Sequence, residues 1–295
     1  MKSLVLFVMS AAICGTASAQ VPTSDAAFAT QLQGIRLEAA AAGKAMSVAA
    51  AQAAAVPTAA QYGNLLSQVL VAMYDAPGTG ELLTGWLRDE KKGGAVFNDS
   101  LSGMSAGAFD DGVPIVSIKP AAAKPVSYRY LGALIARETA ALMLADFPAS
   151  AEKSYIQASR MAETYFELGG TRMDVDNIDG HQDAEVSKSI NLWVENDPTG
   201  GVSVLSRQGQ PTLAQVRANA AAEAARLGEL IRIIRDEMLV PVPDDPYLLK
   251  EMEQSEDSRA AALKTVKACD AAIKAFEAFK QYEKDWLWNH QGMLQ

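Results

Sequence analysis

Residues 127–146 read SYRYLGALIARETAALMLAD, and this stretch decides the fold because it predicts a long, buried α-helix. Its large apolar side chains recur every three or four positions, which is the spacing of one helix face: Leu131, Leu134, Ile135 and Leu142. Glu138 falls on the same apolar face, where a carboxylate is costly unless it is paired, coordinated or protonated. The stretch therefore predicts both a core helix and a candidate functional residue.

The segment in front of this helix has the character of a small sheet. Between Gly93 and Pro120, turn-forming residues surround two short apolar runs, at 95–97 and at Val113–Ile118. These runs predict strands of a small antiparallel β-sheet at about residues 94–118.

Helical patterns fill most of the remaining chain, which is rich in alanine and contains 7% aromatic residues. The pattern predicts helices at 59–74, 81–91, 150–168, 184–195 and 212–239, and a last helical region from 245. Residues 200–205 predict a minor strand or a turn. The expected fold class is mainly α, a multi-helix domain with the small antiparallel sheet inserted early.

The first nineteen residues are typical of a cleavable secretory signal peptide. Lys2 supplies the positive charge, residues 4–13 form the apolar core, and 17–19 (Ala-Ser-Ala) form the small-x-small cleavage pattern. Cleavage after Ala19 would leave Gln20 as the first mature residue, so the expected location is periplasmic or secreted. It would also remove Cys14, one of two cysteines, and leave Cys269 without an intramolecular partner.

The net charge of the chain restricts the classes of molecule that it is expected to bind. The formal net charge is −9, and no basic stretch stands out, which argues against nucleic acid. After the signal peptide, no apolar stretch is long enough to cross a membrane. The expected partner is therefore an unknown protein or another component of the cell envelope.

Residues 65–170, approximately, resemble the zincin-type domains of bacterial putative metallopeptidases. The resemblance lies in the order of the elements: a turn-rich segment, a strand and then a helix with a central glutamate. In that family the helix carries HExxH, in which the glutamate is the general base and the two histidines bind zinc. Residues 136–140 occupy that place here and read ARETA, so Glu138 is present and both histidines are absent. Glu163, on the next predicted helix, corresponds to a third, acidic ligand. The resemblance implies a relic cleft around Glu138 and Glu163 on a scaffold without peptidase chemistry.

With that resemblance, the chain divides into four parts. These are a signal peptide (1–19), an alanine-rich N-terminal helical segment (20–60), a zincin-like α+β core (61–200) and a C-terminal helical region that packs on the core (201–295).

An acidic loop between two predicted helices is the second candidate site, and calcium is the cofactor it suggests. Its carboxylates lie at five positions: Asp174, Asp176, Asp179, Asp183 and Glu185. Counted from Asp174, loop positions one, three and twelve match an EF-hand, whereas position five is Ile178 and the glycine comes one residue late. The alternative is a solvated loop at a helix junction.

Ser105 is the third candidate, because residues 103–107 match GxSxG. A nucleophile elbow requires a strand before the serine and a helix after it, and turn residues flank this match on both sides.

Two functions therefore remain open. The first is a non-catalytic exported helical protein that binds an envelope component or has a structural role. The alternative is an exported hydrolase, either metal-assisted through Glu138 or a serine hydrolase through Ser105.

Overall fold

The computed structural model of the protein describes residues 59–123, 127–238 and 246–290. The predicted signal peptide (1–19) and nearly all of the alanine-rich segment (20–60) lie outside the described residues. The described residues form eight α-helices and one three-stranded sheet, which confirms a mainly α fold with a small sheet.

The bounds of the elements follow the chain order. The helices are α1 (Ala59–Asp75), α2 (Thr79–Thr84), α3 (Tyr128–Met143), α4 (Ala151–Glu167), α5 (Ala184–Glu195), α6 (Pro198–Arg207), α7 (Leu213–Met238) and α8 (Pro246–Asn289). The strands are β1 (Gly94–Phe97), β2 (Ser105–Asp110) and β3 (Val113–Ile118). A π-helical turn (Gly85–Glu90) extends α2, and short 3-10 turns lie at Pro120–Ala123, Arg172–Asp174 and Ile178–Gly180.

The sheet is mixed, which corrects the expectation of a wholly antiparallel one. β3 lies in the middle, pairs antiparallel with β2 and pairs parallel with β1. The sequence conceals β2 because its residues 105–108 (Ser-Ala-Gly-Ala) lack the large β-branched or aromatic side chains by which strands are recognised. With β2 inserted between them in the chain, β1 and β3 run in the same direction.

Helix starts follow the capping residues that the sequence provides. The Ser127 hydroxyl accepts a hydrogen bond from the Tyr130 amide at 3.2 Å, at the start of α3. Thr212 and Gln215 form the predicted capping box before α7, since the side chain of each accepts from the other's amide, at 3.2 and 2.8 Å. These contacts satisfy amides that a helix start otherwise leaves unpaired.

Helix α3 is the centre of the core, as residues 127–146 predict. It packs against α4, α1 and the strands β2 and β3. Tyr130, Leu131, Leu134 and Ile135 are all fully buried. Burial of an entire turn of large side chains fixes the position of Glu138, one turn further along the same helix.

Residues 200–205, predicted as a minor strand or a turn, belong to helix α6. The helix begins at Asp197, whose carboxylate accepts from the Gly200 amide at 2.6 Å, with Pro198 in the first turn. Gly201 lies directly on the ring of Tyr155 from α4. The glycines that obscure the helical pattern are thus needed for close packing.

The last two helices form an antiparallel hairpin, called here the hairpin. Arg217 pairs with Asp270 near its base, and Arg235 pairs with Glu256 towards its far end. The hairpin has its own buried seam, whose residues do not belong to the main core cluster: Leu213, Ala224, Leu227, Ile231, Ile234, Cys269 and Ala272. The C-terminal part of α8 joins the core through Phe276, Phe279 and Trp286.

In the part of the chain that the structure describes, no helix is both long enough and apolar enough to cross a bilayer.

We expect Gly201→Ala to destabilise the protein by about 1–3 kcal/mol, the usual range for overpacking a core. A Cβ at this position would lie 2.0 Å from Cε2 of the Tyr155 ring. Gly85→Ala is the matched control, since a Cβ there meets nothing within 4 Å and the backbone is helical, with φ of −57°. Urea denaturation followed by circular dichroism should show the first change lowering the free energy of unfolding and the second leaving it equal or higher. Equal effects would contradict the α6–α4 packing.

Candidate functional site

Glu138 lies where α3 packs on β2, in contact with Ser105 and Arg137. The Ser105 hydroxyl donates to Glu138 Oε1 at 2.7 Å, and Arg137 Nη2 donates to Ser105 Oγ at 2.7 Å. Arg137 also forms an ion pair with Glu138 at 2.9 Å, with both side chains mostly buried. Strand and helix approach closely because β2 carries Gly107, whose Cβ would lie 3.1 Å from the Glu138 carbonyl oxygen. The second glycine of the GxSxG match therefore serves packing.

This geometry leaves Ser105 without the partners of a serine nucleophile. Its single proton goes to Glu138, and its oxygen accepts from Arg137. The two histidines lie against aromatic rings: His181 stacks on Tyr130 with centroids 3.9 Å apart, and His290 stacks on Trp286 at 4.2 Å. Ser105 also lies on a strand, whereas a nucleophile elbow places it at a strand-to-helix turn.

The acidic loop distributes its carboxylates among separate protein donors. Asp179 accepts from Arg129 at 2.6 Å and from Ser127, and so joins the loop to the start of α3. Asp183 accepts from the Tyr130 hydroxyl at 2.7 Å and caps helix α5.

Asp174 accepts from the hydroxyl of Thr171, three residues earlier in the chain. Among the described residues, no group of three or more His, Cys, Asp or Glu side chains is arranged to hold a metal ion. The predicted calcium set of Asp174, Asp176, Asp179, Asp183 and Glu185 is therefore not assembled, and the loop holds a helix junction together.

Glu163 is fully buried on α4 and is held by three donors. Thr79, at the start of α2, donates to Oε2 at 2.5 Å, Arg160 donates to the same oxygen at 2.9 Å, and Ser159 lies 3.1 Å from Oε1. None of these donors contacts Glu138, whose partners lie on β2 and α3. The predicted shared open cleft of Glu138 and Glu163 is corrected accordingly: the side chain of Glu163 has 0% exposure and faces the interior.

Two further glutamates, which the sequence analysis does not identify, complete this interior group. Glu283 of α8 accepts from Ser159 at 2.8 Å and from the Trp193 indole at 2.7 Å, and the Tyr155 hydroxyl lies 3.4 Å away. Glu283 is 1% exposed.

Glu167 of α4 caps the start of α2. It accepts from the amides of Thr79 and Gly80 at 2.8 and 2.7 Å, and the indole of Trp286 donates to it at 2.7 Å. We call Arg160, Glu163, Glu167 and Glu283 the buried carboxylate cluster. It joins α2, α4, α5 and α8.

A repeat in the sequence marks the position of Glu283. Residues at intervals of seven along α8 face inwards, as in a coiled coil: Ser255, Ala262, Cys269, Phe276 and Glu283. Glu283 alone among them is charged. An acidic residue at an otherwise uncharged heptad position is the sequence signal that points to Glu283.

The cluster contains three carboxylates and one guanidinium in a largely water-free space. Burial raises the pKa of Glu163, although Arg160 and the hydroxyl donors oppose the shift. Burial also raises the pKa of Glu167, against the opposing effect of the two amides and the indole. Burial raises the pKa of Glu283 to about 7, and the nearby charge of Glu163 adds to the rise, whereas the hydrogen bonds from Ser159, Trp193 and Tyr155 oppose it. Glu283 is therefore the member of the cluster whose pKa lies near neutral pH.

Comparisons of the chain with protein-family models, with curated proteins and with solved structures found no match.

We expect Arg160→Ala to destabilise the protein by about 3–5 kcal/mol near pH 8, because it leaves a buried carboxylate without its cation. The loss should be smaller at pH 5, since Glu163, whose pKa burial already raises, can then be neutral. Arg226→Ala is the control, because Arg226 pairs with Glu223 on the surface of α7 and should cost less than about 1 kcal/mol. Unfolding titrations of both variants at the two pH values make the comparison. A cost for Arg160→Ala that matches the control would show that the pair is not needed.

Proposed function

We propose that this chain is an exported, non-catalytic helical protein that binds a protein partner of the cell envelope through the hairpin of α7 and α8. The observation that carries the proposal is the separate buried seam of the hairpin. An element that has its own seam can keep its shape while its outer faces remain available for contact.

The dimensions of the hairpin fit this role. α7 has 26 residues and α8 has 44, which correspond to about 39 and 66 Å at 1.5 Å per residue. The core-facing residues of α8 that belong to the main cluster begin at Phe276. Most of α8 therefore packs with α7 and extends the molecule away from its core.

The far half of the hairpin offers contact groups of the type found in protein interfaces. Ile233 and Leu263 are each 42% exposed and Tyr247 is 73% exposed. A shallow groove of about 550 Å³ runs between the helices, with Leu263 and Arg259 in its wall. Exposed alkyl and aromatic groups beside arginine are typical of interface cores.

Several charged residues in the far half of the hairpin pair with one another. Arg232 pairs with Glu229 and Asp236, and Arg235 pairs with Glu256. Because these charges neutralise one another, burial of the exposed apolar groups would contribute most of the free energy of binding to a partner. This favours a protein over a strongly charged polymer.

The order of elements resembles a zincin-type scaffold, although the cleft that this resemblance implies around Glu138 and Glu163 is not formed. Helix α3 packs on β2 and β3, and Glu138 is directed at the strand residue Ser105.

The alternative, an exported hydrolase, has one observation in its favour, the 2.7 Å contact between Ser105 and Glu138. Against it, Arg137 occupies both of these groups. An acyl-enzyme adduct on Ser105 would establish the alternative.

Export is tested by the mass of the mature protein. Residues 1–19 carry the signal-peptide pattern, so the protein recovered from the periplasm or medium should begin at Gln20. Intact-mass spectrometry of cell fractions measures this. Ala19→Leu should retain the uncleaved precursor, because signal peptidase requires a small residue there, whereas Ala12→Leu in the apolar core should not. Full-length protein in the cytosolic fraction would contradict export.

Binding through the hairpin is tested by photo-crosslinking in the exporting cell. A benzoylphenylalanine at position 233 or 263 should give a discrete adduct with one protein, since both positions face solvent on the hairpin. The control is the same group at Met173, which is 94% exposed on the core loop. Arg259→Glu should reduce the adduct at position 263, because it reverses a charge in the groove wall. An equal adduct at position 173, or none on the hairpin, would reject the hairpin as the binding surface.

A further inference from the structure

Ser159 lies between two buried carboxylates that belong to different helices. Its Oγ is 3.1 Å from Glu163 Oε1 on α4 and 2.8 Å from Glu283 Oε1 on α8. A serine hydroxyl has one proton to donate, so it can serve only one of these acceptors at a time. When both glutamates are ionised, the second contact brings two oxygen lone pairs together in a water-poor space.

The other donors distinguish the two carboxyl groups. Arg160 and Thr79 both donate to Glu163 Oε2, and the hydroxyl of Tyr282 lies 2.8 Å from Thr79 Oγ1, where it can donate in turn. This chain of donors favours the ionised form of Glu163.

The donors to Glu283 are neutral: the Trp193 indole and the Ser159 hydroxyl, with the Tyr155 hydroxyl 3.4 Å away and closer to the Asn196 carbonyl oxygen, at 3.2 Å. Glu283 is therefore the group that accepts a further proton most readily. A protonated Glu283 can donate to Ser159, which then donates to Glu163, so that every contact in the bridge has one proton.

We propose that Glu163, Ser159 and Glu283 form a shared-proton bridge that fastens α8 to α4, and that loss of the extra proton loosens this attachment. The ligand of the site is the proton. The state without the proton has two facing carboxylates and one hydroxyl proton between them.

Groups of both charge signs lie around the bridge, so some favour and others oppose ionisation of its carboxyl groups. The charged and titratable groups of the packed elements are Tyr155, Arg160 and Glu167 of α4, Lys280, Tyr282 and Lys284 of α8, and Asp197 at the start of α6. Arg160 stacks over the ring of Tyr282 at 4.1 Å and pairs with Glu163, and Lys280 pairs with Glu277 on the surface. Arg160 and Lys280 are thus paired with other carboxylates than Glu283, whose hydrogen-bond donors named above are neutral.

The direction of the pH effect follows from the proton balance. Burial raises the pKa of Glu283 to about 7, whereas an unfolded glutamate has a value of 4.5. Between these values the folded protein holds a proton that the unfolded chain has released. The contribution of the bridge to stability is therefore complete below about pH 4.5 and declines as the pH rises to about 7.

The test compares Glu283→Gln with the unmodified mature protein. Gln carries no charge, and its amide nitrogen can donate to Ser159 as the protonated carboxyl group does, so the variant retains the bridge without a titrating group at position 283. The Tm of the unmodified protein should fall by roughly 5 °C more than that of the variant between pH 5 and pH 8. Glu277→Gln, an exposed change on the same helix, should follow the unmodified protein. Identical pH profiles for Glu283→Gln and the unmodified protein would overturn the proposal.

A second measurement does not depend on the folding of that variant. Hydrogen exchange of peptides from residues 270–289, corrected for the intrinsic effect of pH, should show weaker protection at pH 8 than at pH 6. Glu163→Gln should move the midpoint of this change to lower pH, because it removes the like charge that opposes ionisation of Glu283. Protection that is constant over this range, or a midpoint unmoved by Glu163→Gln, would also overturn the shared-proton bridge.

Discussion

The buried ion pair of Arg160 and Glu163 is the interaction on which the arrangement of the helices depends. Both groups lie on α4, and Glu163 has no contact with solvent. Removing such a pair from water costs several kcal/mol per ion, and this cost is recovered only when the remaining hydrogen-bonding capacity is used. The protein uses it by recruiting Thr79 from α2 and Tyr282 from α8. The requirement to satisfy one carboxylate thus fixes two helices against a third.

The three polar groups of the core serve different purposes, which their burial makes clear. Glu138 forms an ion pair with Arg137, the preceding residue of α3, and its carboxylate accepts a hydrogen bond from Ser105 of β2. Glu163 and Glu283 are held by side chains from several helices, so that their ionisation affects how those helices fit together. The acidic loop lies between these cases. Asp183 and Asp179 fasten a connection to α3, and in doing so they use the oxygens that a calcium ion would require.

The sequence predicts those features that depend on neighbouring residues and misses those that depend on packing. Capping residues such as Ser127 and Thr212 are local signals, and they mark the helix starts correctly. Strand β2 is missed because its small residues are selected by contact with α3, where Gly107 allows the close approach. Helix α6 is missed for the same reason, since Gly201 fits against the ring of Tyr155.

The candidate site shows the same division. The sequence identifies Glu138 because it interrupts an apolar helix face, and it identifies Glu163 only through the resemblance to zincin-type domains. The heptad repeat of α8 marks the position of Glu283, but its partners Ser159 and Trp193 lie on other helices and become apparent only in the fold. Its position also has a mechanical consequence for the hairpin. Ser255 lies 28 residues before Glu283 on the same helix, a distance of about 42 Å along the axis. Any tilt of α8 about Glu283 would therefore displace the far half of the hairpin more than the part of α8 that joins the core. A change of one proton in the core would then alter the position of the surface that is most exposed to a partner.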